Sequence, residues 1–90
     1  MRNSIDKPYI VSRIKDVAYH RIPNTTATIC SLEMVNGFSV RGESACVDPA
    51  NFDEALGRGI AYENAFQKLW QLEGYLLAER LQENKAKVAV

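Results

Sequence analysis

The sequence predicts an α+β fold: an antiparallel three-stranded sheet, with a short N-terminal helix and two C-terminal helices on one face, in the order α-β-β-β-α-α. Apolar and polar residues alternate from Ala27 to Val35, Asn36-Gly37 follows as a turn, and the apolar period lengthens from two to about 3.6 residues after Cys46. Ninety residues allow one hydrophobic core. We therefore expect a single domain over residues 1–90, with an ordered core of about residues 8–82 and loosely attached ends.

The first element is predicted as a short helix from Pro8 to about Lys15, because proline suits the first helical turn behind Asp6 as the cap. A strand is the alternative, since Tyr9-Ile10-Val11 is rich in β-prone residues. The next element is predicted as a strand over Val17–Ile22, which a Pro-Asn turn ends.

The second and third strands are predicted to form a hairpin. A two-residue loop would pair Val35 with Phe38 and place Leu32 beside Arg41, which mixes apolar and polar residues on each face. A three-residue loop with Gly37 in the left-handed conformation and a bulge instead collects the large apolar residues on one face. We predict this second register, in which the pairs are Met34–Phe38, Leu32–Val40 and Cys30–Gly42.

The main helix is predicted to begin a few residues after Cys46, at one of two caps. Asp48 before a proline is one candidate, and Asn51 followed three residues later by Glu54 is a capping-box pattern. The sequence leaves both open. The apolar stripe of this helix consists of Leu56, Ile60, Ala65, Phe66, Leu69 and Trp70.

Two glycines, Gly57 and Gly59, lie inside the predicted helix, where each costs about 1 kcal/mol relative to alanine. Close packing of the helix on its neighbour would explain them, and so would backbone left bare for a ligand or partner. A break near Gln71 is predicted to separate the main helix from a last helix, which runs from Leu72 to about Asn84.

Charge and composition argue against several classes of function. Eleven Lys and Arg balance eleven Asp and Glu, so the chain lacks the positive field that draws proteins to nucleic acids or anionic membranes. No apolar run approaches the roughly 20 residues of a membrane span, and Met1–Lys7 lacks the apolar stretch of a secretory signal. We expect a cytoplasmic protein. A domain this small, without net charge, gains from burying a face against a copy of itself, so we also expect a homo-oligomer.

The sequence offers little for catalysis. His20 is the single histidine and is predicted to lie within a strand, and Cys30 is predicted to be a small core residue. Cys46 precedes a helix start, where a thiolate would be stabilised, but packing is the simpler explanation. The two cysteines are predicted to lie about 13 Å apart along the strands, too far for a disulfide, so we expect free thiols. Two cysteines without a CxxC pair, and one histidine, are too few for a four-ligand zinc site, so we expect no metal and no cofactor. We therefore expect a protein that is not an enzyme.

Binding chemistry is better represented than catalytic chemistry. An exposed aromatic side chain can stack on a nucleobase with about 1–3 kcal/mol, and arginine forks onto a phosphate group. These residues suit a compact nucleotide without a long charged groove, although a solvated helix face would show the same composition. The candidates are Arg41, Asn51, Phe52, Arg58, Tyr62, Asn64, Lys68 and Arg80.

The segment from about Tyr19 to Leu81 resembles a family of small tailed-phage proteins. The motifs that carry the resemblance are Asn36-Gly37-Phe38, Gly57-Arg58, and two long runs, GESACVDPANFD from Gly42 and AYENAFQKLWQLEGYLL from Ala61. This family in turn is similar to the phage anti-defence sponge proteins that counter the bacterial Thoeris system. Those proteins bind a cyclic ADP-ribose signal without cleaving it, and some members bind cyclic oligonucleotides as hexamers.

The resemblance implies a phage protein of the host cytoplasm that sequesters a cyclic nucleotide immune signal, as a dimer or hexamer. Phe52 is then the stacking residue, Asn64 reads a base or ribose edge, and Arg80 holds a phosphate, supported by the remaining candidates Arg41, Arg58, Tyr62 and Lys68. The sequence departs from its relatives at Gly59, Gln71 and Ala78, where they often carry Lys, Pro and Arg, which removes two phosphate contacts. The alternative function is a host-takeover or regulatory module that binds a bacterial protein through its helical face.

Overall fold

A three-stranded antiparallel sheet carries the helices on one face, as the α+β prediction requires. The computed structural model describes residues 4–46 and 48–88, without the side chains of residues 49 and 86–88. Along the chain the elements are α1 (Lys7–Ser12), β1 (Ile14–Arg21), β2 (Thr28–Met34), β3 (Ser39–Ser44), a 3-10 turn (Pro49–Asn51) and α2 (Glu54–Val88). The predicted loose ends fall partly on residues 1–3 and 89–90, which lie outside the described residues.

Helix α1 begins as predicted. The Asp6 side chain accepts a hydrogen bond of 2.9 Å from the Tyr9 backbone nitrogen, and proline occupies the first turn. The helix ends at Ser12, earlier than predicted, because Ile14 already belongs to β1. Strand β1 therefore starts three residues before the predicted Val17, and a bulge near its start corrects the register.

The hairpin register predicted from the apolar pattern is confirmed. Leu32 pairs with Val40 and Cys30 pairs with Gly42. The loop closes with a hydrogen bond of 2.7 Å from the Met34 nitrogen to the Phe38 carbonyl oxygen, and Gly37 has φ +89°. The face of β2 that carries Thr28, Cys30, Leu32 and Met34 is buried. Both cysteines are free thiols.

Helix α2 is one continuous helix of 35 residues, so the predicted break near Gln71 is wrong. No neighbouring segment among the described residues lies within 4 Å of where a Cβ would stand on Gly74, in this region, and a single glycine costs a helix only about 1 kcal/mol. At 1.5 Å per residue the helix is about 52 Å long, close to the longest dimension of the chain, 63 Å. Glu73 is its last buried residue among the side chains described, so the helix extends beyond the sheet from there.

Neither of the two predicted caps starts α2. Asp53 caps it, accepting a hydrogen bond of 3.2 Å from the Leu56 nitrogen. Asp48 instead caps the preceding 3-10 turn, where its carboxylate accepts hydrogen bonds of 3.0 Å from the Ala50 nitrogen and the Asn51 side chain. The chain therefore turns twice before α2 begins. Asn51 cannot cap α2, because it belongs to the first of these turns and its side chain donates to Asp48.

The closest approach of α2 to the sheet is at Gly42. A Cβ atom there would lie 2.5 Å from the Ala61 carbonyl oxygen and closer still to the Ala65 nitrogen. This contact places α2 over β2 and β3, and leaves β1 largely outside the helix. Phe66 and Leu69 fill the core beside it. Among the described residues, no helix has the length and apolar character of a membrane span.

Candidate functional site

Two arginine–aromatic contacts are neighbours on the flank of α2 that faces β1. The guanidinium carbon of Arg21 lies 4.2 Å from the centre of the Phe52 ring, and that of Arg58 lies 5.5 Å from the centre of the Tyr19 ring. Both distances are within the range of cation–π interaction. These four residues are termed the arginine–aromatic cluster.

The pairing of β1 with β2 brings the strand half of this cluster to the helix side of the sheet. Tyr19 lies opposite Cys30 and Arg21 opposite Thr28, both of which face α2. Because α2 packs over β2 and β3, Tyr19 remains 37% exposed. The cluster is thus an open cationic and aromatic surface rather than a closed pocket.

Tyr62 lies one helical turn after Arg58 and closes one side of the cluster. Its ring stacks on Phe66 with a centroid separation of 5.8 Å, and Phe66 meets Trp70 edge to face at 6.1 Å. The predicted ligand residue Tyr62 is therefore half-buried in an aromatic row that belongs to the core.

Three titratable groups at the cluster hold their protons more tightly than usual. Burial raises the pKa of the Cys30 thiol, with a hydrogen bond from Tyr19 opposing the shift. Burial is also the main cause of the raised pKa of Tyr19, which the Arg58 charge partly offsets, and of the raised pKa of Tyr62. All three groups are neutral at pH 7, and a buried protonated thiol is a poor nucleophile.

These raised pKa values predict a loss of stability in alkali. The unfolded chain releases these protons first, near the ordinary values of 9.0 for cysteine and 10.0 for tyrosine, while the folded chain still holds them. The free energy of unfolding should therefore be constant below about pH 8 and fall as the pH rises from about 9 to 11. Denaturant titrations across this range measure it. Tyr19→Phe should flatten the slope, and an unchanged slope would contradict the assignment.

The carboxylates near the cluster are mostly engaged within their own segment. Asp48 and Asp53 accept the capping hydrogen bonds described above, and Glu54 contacts Arg58 at 3.0 Å between Oε1 and Nη2. That ion pair is about half exposed and contributes little, so a phosphate group can displace it at small cost. Among the described residues Arg21 has no carboxylate partner; its Nε donates to the Thr25 carbonyl oxygen at 3.2 Å.

Gly57 joins the cluster to the end of β3. The Ser44 hydroxyl donates a hydrogen bond of 2.6 Å to the Gly57 carbonyl oxygen, and the Phe52 ring lies 3.7 Å from where a Cβ would stand on Gly57. A small cleft beside it is lined by Phe52 and Cys46. The Cys46 thiol donates to the Asp48 carbonyl oxygen at 3.0 Å. Gly59, by contrast, has open space around it, so close packing does not explain that glycine.

Three other predicted residues lie on the opposite flank of α2, beside β3. Arg41 and Lys68 line one shallow cleft of about 420 Å³ together with Phe38 and Leu72. Neither cation has an acidic partner within the described part of the chain. Asn64 donates from Nδ2 to the Glu43 carbonyl oxygen at 2.8 Å, so its amide holds the edge of the sheet.

Arg80 lies on the part of α2 that extends beyond the sheet. At 1.5 Å per residue it is about 33 Å along the helix from Arg58. One chain therefore brings together Phe52, Arg58 and Tyr62, but places Asn64, Lys68 and Arg41 on the other flank and Arg80 at a distance. Within a single chain, Phe52 and Arg80 cannot share a cavity.

Sequence reasoning missed Tyr19 and Arg21. Both are placed by the strand pairing, because residues directly opposite Cys30 and Thr28 share their face of the sheet. The register between β1 and β2 was not predicted, and the bulge near Ile14 obscures it. Without that register, the side of β1 that faces α2 could not be assigned.

The comparisons with known proteins give a family. Neither the curated proteins nor the solved structures include a match to this chain. The model of one family of phage proteins, described by N4 Gp49 and phage Sf6 gene 66, matches residues 5–81. The match covers the whole sheet and most of α2, and so extends the predicted resemblance toward the N-terminus. The chain belongs to the phage protein (N4 Gp49/phage Sf6 gene 66) family.

Proposed function

We propose that this phage protein binds a small cyclic nucleotide and sequesters it without cleaving it, as an anti-defence protein acting in the host cytoplasm. The observation that supports the proposal is the arginine–aromatic cluster: two guanidinium groups, each against an aromatic ring, on one open flank. A cyclic ADP-ribose type of signal offers the matching groups, because its base can stack on a ring and its phosphates accept bidentate hydrogen bonds from arginine.

The affinity that sequestration needs sets a condition on the site. Holding a signal at sub-micromolar concentration requires roughly −9 to −12 kcal/mol. A few stacking and arginine–phosphate contacts reach that range only in a site that excludes water and is already ordered. The cluster is open in a single chain, since Tyr19 and Arg58 are both exposed. The proposal therefore includes a second copy of the chain that covers the cluster.

A ligand panel tests the proposal. The protein is mixed with cyclic ADP-ribose isomers and with cyclic di- and trinucleotides, and binding is followed by calorimetry. The complex is then heat-denatured, and the released ligand is identified by mass spectrometry. Recovery of intact ligand after tight binding supports sequestration, whereas a chemically altered ligand indicates an enzyme. The absence of heat with every nucleotide rejects the proposal.

Substitutions on the two flanks of α2 should show which flank binds the ligand. Phe52→Ala and Arg58→Ala are each expected to weaken binding by at least about tenfold, because each removes one stacking or phosphate contact. Glu54→Gln should strengthen binding, since it releases Arg58 from its carboxylate. Arg41→Ala, on the opposite flank, is the matched control for loss of an exposed cation. If Arg41→Ala weakens binding and Arg58→Ala does not, the ligand lies in the β3 cleft instead.

A second function, that of a host-takeover or regulatory module that binds a bacterial protein, is favoured by a different observation. The end of α2 carries exposed apolar side chains where it leaves the sheet: Leu72 is 44% exposed and Tyr75 is 73% exposed. Exposed apolar groups on a helix are the usual anchors of a helix–protein interface. A protein that binds no nucleotide, and whose host partner is lost on Tyr75→Ala but retained on Phe52→Ala, has this function.

A further inference from the structure

The sheet has two edge strands, β1 and β3, and β1 is the longer of the two. In the order β1-β2-β3, β1 pairs only with β2, and within residues 4–46 and 48–88 no other segment pairs with its outer side. The β3 edge differs, because its Glu43 carbonyl oxygen already accepts a hydrogen bond from the Asn64 side chain on α2. An unpaired edge is a template for another strand.

The backbone groups that are free on this edge follow from the hairpin. The hydrogen bond from Met34 to Phe38 turns the even-numbered residues of β2 toward β3 and the odd-numbered ones toward β1. Odd-numbered residues of β2 pair with even-numbered residues of β1. The N–H and C=O groups of Val17, Tyr19 and Arg21 therefore point to solvent.

We propose that β1 pairs antiparallel with β1 of a second copy, about a twofold axis at Ala18, to form a six-stranded sheet. On the outer face Asp16 then lies opposite the partner's His20. On the helix side Val17 lies opposite the partner's Tyr19, a β-branched and aromatic pair of the kind that stabilises sheets. The twofold axis repeats both contacts, as a closed dimer requires.

Charge and size favour this register over its neighbours. Within one chain Asp16 lies directly opposite Glu33, whose carboxylate pairs with Lys15, and Asp16 has no cationic partner among the described residues. A histidine across the edge offers the Asp16 carboxylate an N–H donor. Moving the register by two residues would place Tyr19 against its own copy, or Asp16 against Ala18. Ala18 at the axis is small enough for a non-hydrogen-bonded pair, in which the Cα atoms are about 4.5 Å apart.

The same pairing explains an apolar surface that a single chain leaves uncovered. Val17 is 38% exposed and Tyr19 37% exposed on the helix side of β1. In the paired sheet these residues from both copies form the floor of one groove, and the two α2 helices form its walls, roughly 20 Å apart at about 4.8 Å per strand. The groove contains two Tyr19–Arg58 contacts. The pairing does not depend on the proposed ligand.

A charge exchange tests the outer-face contact. His20→Asp places a carboxylate opposite the partner's Asp16, and sedimentation equilibrium should show a dimer dissociation constant at least about tenfold higher. The double variant Asp16→Lys with His20→Asp places a lysine opposite the partner's new aspartate and should return the constant to within about threefold of the original. Both positions are exposed, so circular dichroism should remain unchanged. A dimer unaffected by His20→Asp, or not rescued by the double variant, overturns the register.

Disulfide trapping tests the axis directly. Ala18→Cys in a Cys46→Ser background should give a covalent dimer on mild oxidation, because a non-hydrogen-bonded antiparallel pair has disulfide geometry. Gln67→Cys, on the exposed side of α2, is the matched control and should remain monomeric on a denaturing gel. The proposal is overturned if the chain sediments as a monomer at its highest soluble concentration. It is also overturned if the Ala18→Cys and Gln67→Cys variants form covalent dimers to the same extent. Ligand binding by calorimetry is measured separately. A dimer that binds nucleotide but forms through another surface rejects only the pairing, and a β1-paired dimer that binds no nucleotide rejects only the proposed function.

Discussion

Gly42→Ala should lower the free energy of unfolding by about 3 kcal/mol, at the upper end for overpacked sites. The new methyl group would meet the Ala61 carbonyl oxygen at 2.5 Å and lie closer still to the Ala65 nitrogen. Both contacts are backbone atoms of a rigid helix, so no side chain can rotate away to make room. The whole of α2 must move off the sheet, and its contacts through Phe66 and Leu69 loosen with it. Urea denaturation followed by circular dichroism measures the change.

The matched control is the same substitution where there is space. Gly59 lies on the exposed side of α2, and outside its own helical turns no atom of the described residues lies within 4 Å of its Cβ position. Gly59→Ala should therefore raise the free energy of unfolding by up to about 1 kcal/mol, through helix propensity alone. The two variants differ in sign although their chemistry is identical. Equal effects at both positions would show that α2 is not held against the sheet at Gly42.

The parts of the fold that the sequence predicts well are those in which one face is buried. In the hairpin, the alternation around Leu32 allows only one register that keeps the apolar residues together, so the turn at Gly37 and the pairing with Val40 follow. The start of α1 is predicted equally well, because Asp6 caps the helix and Pro8, two residues later, fits its first turn. In each case local and tertiary preferences agree.

The parts of the fold that the sequence predicts poorly depend on contacts between distant segments or on competition between local signals. Three residues before α2 are good caps: Asp48, Asn51 and Asp53. Only the path of the chain decides that Asp53 begins α2. No proline stands near Gln71, so the helix continues where the weaker apolar pattern predicted a break. The grouping of the site depends on the register of β1, which places Tyr19 beside Arg58. That register has no local signal in the sequence.

Arg13→Ala should lower the free energy of unfolding by about 2–3 kcal/mol. Arg13 Nε contacts Glu73 Oε1 at 3.3 Å, and the carboxylate side chain is only 7% exposed. Removing the arginine leaves a charged group buried without its partner, which costs about 3–5 kcal/mol at fully buried sites. The arginine side chain is 22% exposed, so water can replace part of the lost contact, and the expected effect is smaller.

The pair also connects the α1–β1 junction to α2 at its last buried position, so its loss should free the helix from that end. Glu73→Leu with Arg13→Leu removes both charges and should recover most of the stability, because the apolar pair replaces buried ions that attract each other only at a large desolvation cost. The exposed ion pair of Lys15 with Glu33 is the comparison, and Lys15→Ala should change stability by less than about 1 kcal/mol. Equal losses for Arg13→Ala and Lys15→Ala would mean that Glu73 is solvated in solution and that α2 is not anchored there.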